Sequence, residues 1–287
     1  MYRSMLFVPA ANAKAMAKAP SLAADAIIID LEDGLAPEQK DAGRAAVIRF
    51  LRENKESKTP VLVRINSGPE AVQRADVCAI TSEGPVVIVV PKVENWLVLQ
   101  ELTKQMKSLL HGTGKAIPAL WAMIETPLGL RNVDQIARLH QEVGLKGLIV
   151  GTNDLIAGLR CANDPGRGSL LPYLAQIVLA ARVWGIPVID GVYNNFSDPK
   201  GFVREAAQGK ALGFDGKSLI HPSQVEPANT AFGPSSDQVK QAQAIVHAYS
   251  YKKNAGKGAI NVNGQMVERL HLEAAKELLA QLDKEKG

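Results

Sequence analysis

Short apolar runs alternate with longer stretches of helical period along most of this chain. The runs cover residues 4–8, 26–30, 61–65, 86–90, 120–124, 147–150, 186–190 and 213–217. Between them, apolar positions recur at helical spacing near 12–23, 38–53, 69–80, 94–110, 128–143, 169–184 and 198–210. Runs that are apolar on both faces and separated by helices predict a parallel sheet covered on both sides. Eight of them favour a closed α/β barrel, the (β/α)8 TIM barrel, over an open doubly wound sheet.

After Pro234 the pattern changes. Residues 235–254 read as one helix and "KNAGKGA" (253–259) as a basic linker. "INVNGQMV" alternates around Asn263-Gly264, a hairpin turn signal, and 269–285 reads as a last helix. The expected division is a TIM-barrel catalytic domain over 1–232 and a C-terminal helical and hairpin extension over 233–287. The extension is expected to pack on a neighbouring subunit.

A length of 287 residues suits one such barrel, and 46% hydrophobic residues suffice for its core. The net charge of +4 fits an anionic small ligand as well as it fits nucleic acid. Aromatics are only 5%, which argues against stacking platforms for single-stranded nucleic acid. Two cysteines without C-x-x-C spacing, and no long apolar run, predict a reduced cytoplasmic protein with no membrane partner. "GFDGKS" (213–218) ends like a phosphate-binding loop, but the spacing would need glycine at 211, where Ala211 stands. No dinucleotide fingerprint follows a strand either.

In a barrel of this type the chemistry sits at the C-terminal strand ends. The polar groups there are Asp30, Glu32, Asp33, Arg64, Asn66, Lys92, Glu125, Asn153, Asp154, Asp190, Tyr193, Lys217 and His221. Glu125 ends "WAMIE", a run that otherwise reads as buried strand, and a carboxylate in such a place needs a partner or water. Asp154 lies just beyond the next strand, so the two can meet. Hard oxygen ligands without His or Cys suit Mg2+, with Mn2+ the alternative. Glu32 and Asp33 could then hold the metal's waters. The competing reading is solvated loop carboxylates. Arg64 closes an apolar strand and needs an anion, either a substrate or an internal partner such as Glu32 or Asp33. His221, before Pro222, reads as a helix start, and Cys78 and Cys161 as inert.

Six segments in order, "RSMLFVPA", "DAIIIDLEDG", "VRIN", "IETPLGL", "GTNDL" and "GFDGKSLIHPSQ", resemble the HpcH/HpaI aldolase and citrate lyase β-subunit family. The resemblance runs over about residues 2–270. It implies a TIM barrel in a homotrimer or hexamer. It also implies Mg2+ on Glu125 and Asp154, with Arg64 and Glu125 at the substrate. The implied reaction cleaves or forms a C–C bond beside a thioester such as malyl-CoA or citramalyl-CoA, giving acyl-CoA and a 2-oxo acid. The alternatives are a citryl-thioester lyase subunit that works with an acyl carrier protein, and an aldolase acting on a free 2-oxo acid without CoA. Ala10 stands where the family has glycine, and Asn12 where it often has arginine; Lys14 and Lys18 remain to meet CoA phosphates. The family's "NGKMVD" places an aspartate in a neighbour's site. Here the segment is "NGQMVE", so the implied catalytic carboxylate is Glu268, about an ångström longer.

Overall fold

The computed structural model describes residues 2–84, 86–251, 254 and 256–286, the side chains at 281 and 283–286 apart. The chain divides into two compact units, Met1–Phe232 and Gly233–Gly287. In the first, among the described residues, eight parallel strands close a barrel in chain order. They are β1 (Ser4–Pro9), β2 (Ala26–Asp30), β3 (Val61–Arg64), β4 (Val87–Val90), β5 (Leu120–Ile124), β6 (Leu145–Val150), β7 (Val188–Asp190) and β8 (Gly216–Leu219). Around them run α1 (Ala13–Lys18), α2 (Lys40–Glu53), α3 (Glu70–Thr81), α4 (Trp96–Leu110), α5 (Pro127–Arg131), α6 (Val133–Arg138) and α7 (His140–Val143). They are followed by α8 (Thr152–Leu159), α9 (Leu171–Val183), α10 (Pro199–Leu212) and α11 (Val225–Phe232). This is the TIM barrel that the hydrophobic pattern predicts.

Strand side chains alternate between faces, so position along each strand decides which core a residue joins. Met5, Ile28, Leu62, Val89, Trp121, Ile149 and Ile189 fill the lumen. Their neighbours Leu6, Ile27, Val63, Ile88, Leu148 and Val188 belong to a second core beneath the helices. Burying the β-branched runs on both sides is what makes them strands rather than helices.

The departures from the predicted elements have local causes. β8 starts at Gly216 rather than 213, because Gly213 adopts φ +100° and closes α10 as a left-handed cap. The apolar stripe at 128–143 breaks at Asn132 and Leu139 into α5, α6 and α7. Two short helices, α8 and α11, escape the pattern reading altogether.

In the second unit, α12 (Ser236–Ser250) opens with a capping box between Ser235 and Gln238. β9 (Ala259–Val262) and β10 (Gln265–Glu268) pair antiparallel. Asn263 and Gly264 turn between them at φ +52° and +83°, as the hairpin signal requires. α13 (Arg269–Lys286) follows. Ile245, Tyr249, Ile260 and Val267 form this unit's own core. Lys252, Lys253 and Ala255, which fall in the predicted helix end and linker, lie outside the described residues. Among the described residues no helix is long and apolar enough to cross a membrane.

Candidate active site

A cavity of about 290 Å3 opens at the C-terminal end of the barrel. Its lining includes Phe7, Asp30, Asp33, Arg64, Met123, Glu125, Asp154, Asn194 and Ile220. Asp30, Arg64 and Glu125 share strand parity with the lumen residues Ile28, Leu62 and Met123, so the alternation carries them over the plug. Asp190 and Lys217 have the other parity and do not line this cavity.

Arg64 is the hub of the β1–β3 side. Its Nε and Nη2 donate to the two oxygens of Asp30 at 2.7 and 2.8 Å. Nη2 also lies 3.0 Å from Asp33, and Nη1 3.1 Å from Glu32 Oε2. The guanidinium sits over the Phe7 ring, 5.1 Å from its centre. Burial opposes the charge, but Asp30, then Glu32 and Asp33, outweigh it and raise the Arg64 pKa. The first partner is therefore Asp30, which the sequence reading did not assign to Arg64. Asp30 in turn accepts the N–H groups of Glu32 (2.9 Å) and Gly34 (3.1 Å), which folds the "DLEDG" loop over the cavity.

Glu125 is only 3% exposed. Its Oε1 accepts the backbone N–H of Lys92 at 2.7 Å. Burial pushes its carboxyl up to about 7; the Lys92 N–H works against this, while Glu32 and Asp154 add to it. The side chain packs flat against Gly151, where a Cβ would strike the carboxylate. Gly151→Ala should therefore displace Glu125 and cost on the order of a hundredfold in activity, with the fold kept. A crystal structure and a rate assay of the variant check this, and wild-type rates would refute it.

Asp154 lies in the first turn of α8, with its side chain 46% exposed. The Lys92 ammonium stands between it and Glu32, at 3.9 and 3.3 Å. Glu32 Oε1 also accepts from the Ser67 hydroxyl. Its Oε2 is buried with no hydrogen-bond donor, because no N–H of Arg64 points at it despite the short separation.

These groups fit a hard cation. A buried carboxylate with a raised pKa and an orphaned carboxylate oxygen are what a site of excess negative charge looks like. Among the described residues no three His, Cys, Asp or Glu side chains form a complete cage. Mg2+ needs none, since it takes one or two carboxylates and completes its shell with water and substrate oxygens.

The structure thus brings Glu32, Asp33, Arg64, Glu125 and Asp154 to one face of the first unit. Lys14 and Lys18 are exposed on α1, which follows the C-terminal end of β1. Glu268 ends β10 in the second unit, where its backbone N–H donates to His271 Nδ1 at 3.0 Å. His221 caps the 3-10 turn of residues 222–224, as its place before Pro222 suggests.

Lys217 and Asp190, both 0% exposed, pair at 3.1 Å beneath the loops. Arg167 joins Asp190 at 2.8 Å, and Glu205 on α10 joins Lys217 at 2.8 Å. Burial alone would raise the Asp190 pKa, but Lys217 and Arg167 hold it below the ordinary carboxylate value.

Comparisons with known proteins place the fold and the family. The family model for HpcH/HpaI aldolase/citrate lyase matches residues 3–222. A (3S)-malyl-CoA thioesterase of Cereibacter sphaeroides is 37% identical over 98% of this chain and 95% of its own. The citrate lyase subunit beta of Haemophilus influenzae is 33% identical over 96% and 95%. CitE of Mycobacterium tuberculosis, solved in complex with magnesium, acetoacetate and coenzyme A, superposes with a TM-score of 0.74. It is 30% identical, over 96% of each chain. The chain belongs to the HpcH/HpaI aldolase/citrate lyase family, and it is an enzyme of the lyase type.

Proposed function

We propose that this enzyme cleaves, or in reverse forms, the C–C bond of a 3-hydroxyacyl-CoA such as malyl-CoA, giving an acyl-CoA and a 2-oxo acid. The observation that carries the reading is Glu125, buried in the wall of a cavity that Asp154 and Arg64 also line. Glu125 and Asp154 would hold Mg2+, or Mn2+ in its place. The magnesium and coenzyme A bound by the M. tuberculosis relative support both groups. When bound, the cation supplies a Lewis acid and a template for the hydroxyl and carboxylate of the substrate. Glu32 and Asp33 would orient its waters.

The chain's own residues do the rest. Arg64, its Nε–Nη2 fork held by Asp30, lines the cavity and would favour negative charge as it grows on the thioester oxygen. Lys14 and Lys18 would meet the phosphates of CoA. Glu268, reaching in from a neighbouring subunit of a trimer or hexamer, would deliver a proton to the enolate carbon. Mixing a Glu268→Ala chain with an Arg64→Ala chain should then restore part of the activity, because hybrid oligomers contain some intact composite sites. No recovery after subunit exchange, verified by mass, would confine Glu268 to its own chain or remove it from catalysis.

A second reading is thioester hydrolysis, which the malyl-CoA thioesterase relative favours. One assay separates them. (3S)-Malyl-CoA incubated with Mg2+ should yield acetyl-CoA and glyoxylate with no free thiol. Release of malate and free CoA would establish hydrolysis instead. Turnover of citryl-CoA or of a citryl acyl carrier protein would mark a citrate lyase subunit, and turnover of a free hydroxy acid would dispense with CoA.

A further inference from the structure

Lys92 follows β4 at φ +49°, a left-handed conformation that glycine adopts freely and lysine only at a cost. The same residue touches three carboxylates of the site. Its backbone N–H holds Glu125 Oε1 at 2.7 Å, and its ammonium lies 3.3 Å from Glu32 Oε1 and 3.9 Å from Asp154 Oδ2. Neither contact is accidental to the fold. The strained backbone aims the N–H at Glu125, and the side chain turns in toward the anionic cluster although it is 40% exposed and has solvent beside it. An ammonium and a divalent cation are drawn to the same oxygens, and they repel each other.

We propose that Lys92 is the place-holder of the cation site. In the metal-free enzyme its ammonium neutralises the Glu32 and Asp154 pair while its N–H keeps Glu125 aimed. When the cation arrives the ammonium withdraws toward solvent on its flexible stem, and the N–H contact stays. Lys92 thereby stabilises the empty site, weakens metal binding and keeps the metal exchangeable. This rests on the reading of Glu125 and Asp154 as cation ligands.

Three variants test it by Mg2+ titration calorimetry and by melting in EDTA and in Mg2+. Lys92→Gly suits the positive φ and keeps the N–H, but loses the ammonium. Lys92→Met keeps the stem without the charge, and Lys92→Arg keeps the charge. The Gly and Met variants should bind Mg2+ about tenfold more tightly than wild type, since one positive charge beside the ion is gone. Their rise in Tm on adding Mg2+ should be larger than that of wild type, and Lys92→Arg should stay close to wild type on both readouts. Unchanged or weaker Mg2+ binding in either the Gly or the Met variant overturns the proposal. Equal tightening in Lys92→Arg overturns it too, because charge would then not be the cause. Absence of Mg2+ binding by wild type itself would overturn the cation reading and the proposal with it.

Discussion

Glu125→Gln should abolish metal-dependent turnover and, in the same molecule, make the metal-free barrel more stable at alkaline pH. The first effect follows from the loss of a charged ligand. The second follows from the carboxyl pKa of about 7. The folded chain holds this proton more tightly than the unfolded chain, whose carboxyl has the ordinary value of 4.5. The group's contribution to stability is therefore full below the unfolded value and is lost as pH rises through about 7. Above that, ionised Glu125 works against the metal-free fold by on the order of 3 kcal/mol. Glutamine stays neutral and still accepts the Lys92 N–H. Melting in EDTA should thus favour the variant at about pH 8, with the gap closing toward pH 4. Retained activity, or equal wild-type activity in EDTA, would remove Glu125 from metal binding. A lower Tm for the variant at about pH 8 would refute the electrostatic account.

Arg64→Lys should lose on the order of a hundredfold in turnover or more, because the ammonium cannot reproduce the fork on Asp30 and also face the substrate. Arg64→Leu goes further. It leaves Asp30 buried without its cation, which should cost about 3–5 kcal/mol of stability. The two variants separate roles. If Arg64→Lys folds normally and turns over at the wild-type rate, Arg64 is a structural tie among loop carboxylates. If it folds normally and is slow, the fork itself acts on the reaction. Urea titrations and steady-state rates for both variants decide between these.

Much of this was legible in the chain because burial on both faces leaves a strong mark. The eight barrel strands follow the eight apolar runs, and β2 and β5 begin and end where their runs do. Strand phase was harder to read. Asp30, Arg64 and Asp190 end their strands and Glu125 follows β5, whereas Lys217, read as a strand end, is the second residue of β8. A one-residue difference in phase sends Asp30, Arg64 and Glu125 over the lumen and Asp190 and Lys217 outward. Comparing each with the lumen side chain two positions before it would have sorted them. α8, with its eight residues, left too short a periodic signal to register. The hold of Lys92 on Glu125 is made by backbone, and no side-chain pattern announces a left-handed lysine. Asp30 was legible as a strand-end carboxylate, but its pairing with Arg64 was not, since that depends on β2 and β3 lying side by side in register.

The buried cluster of Asp190, Lys217, Arg167 and Glu205 has a consequence for how such a barrel can diversify. It fastens the end of β7 and the start of β8 to α10 and to the loop before α9. None of the four lines the cavity at Glu125. The residues above it that do face the cavity, Val192, Asn194 and Ile220, take no part in that ion-pair cluster. On this side of the barrel Ser218 serves both, lining the cavity and donating to the Asp190 carbonyl at 3.0 Å. Substitutions at those three positions should therefore reshape the cavity wall while the ion-pair cluster beneath stays as it is.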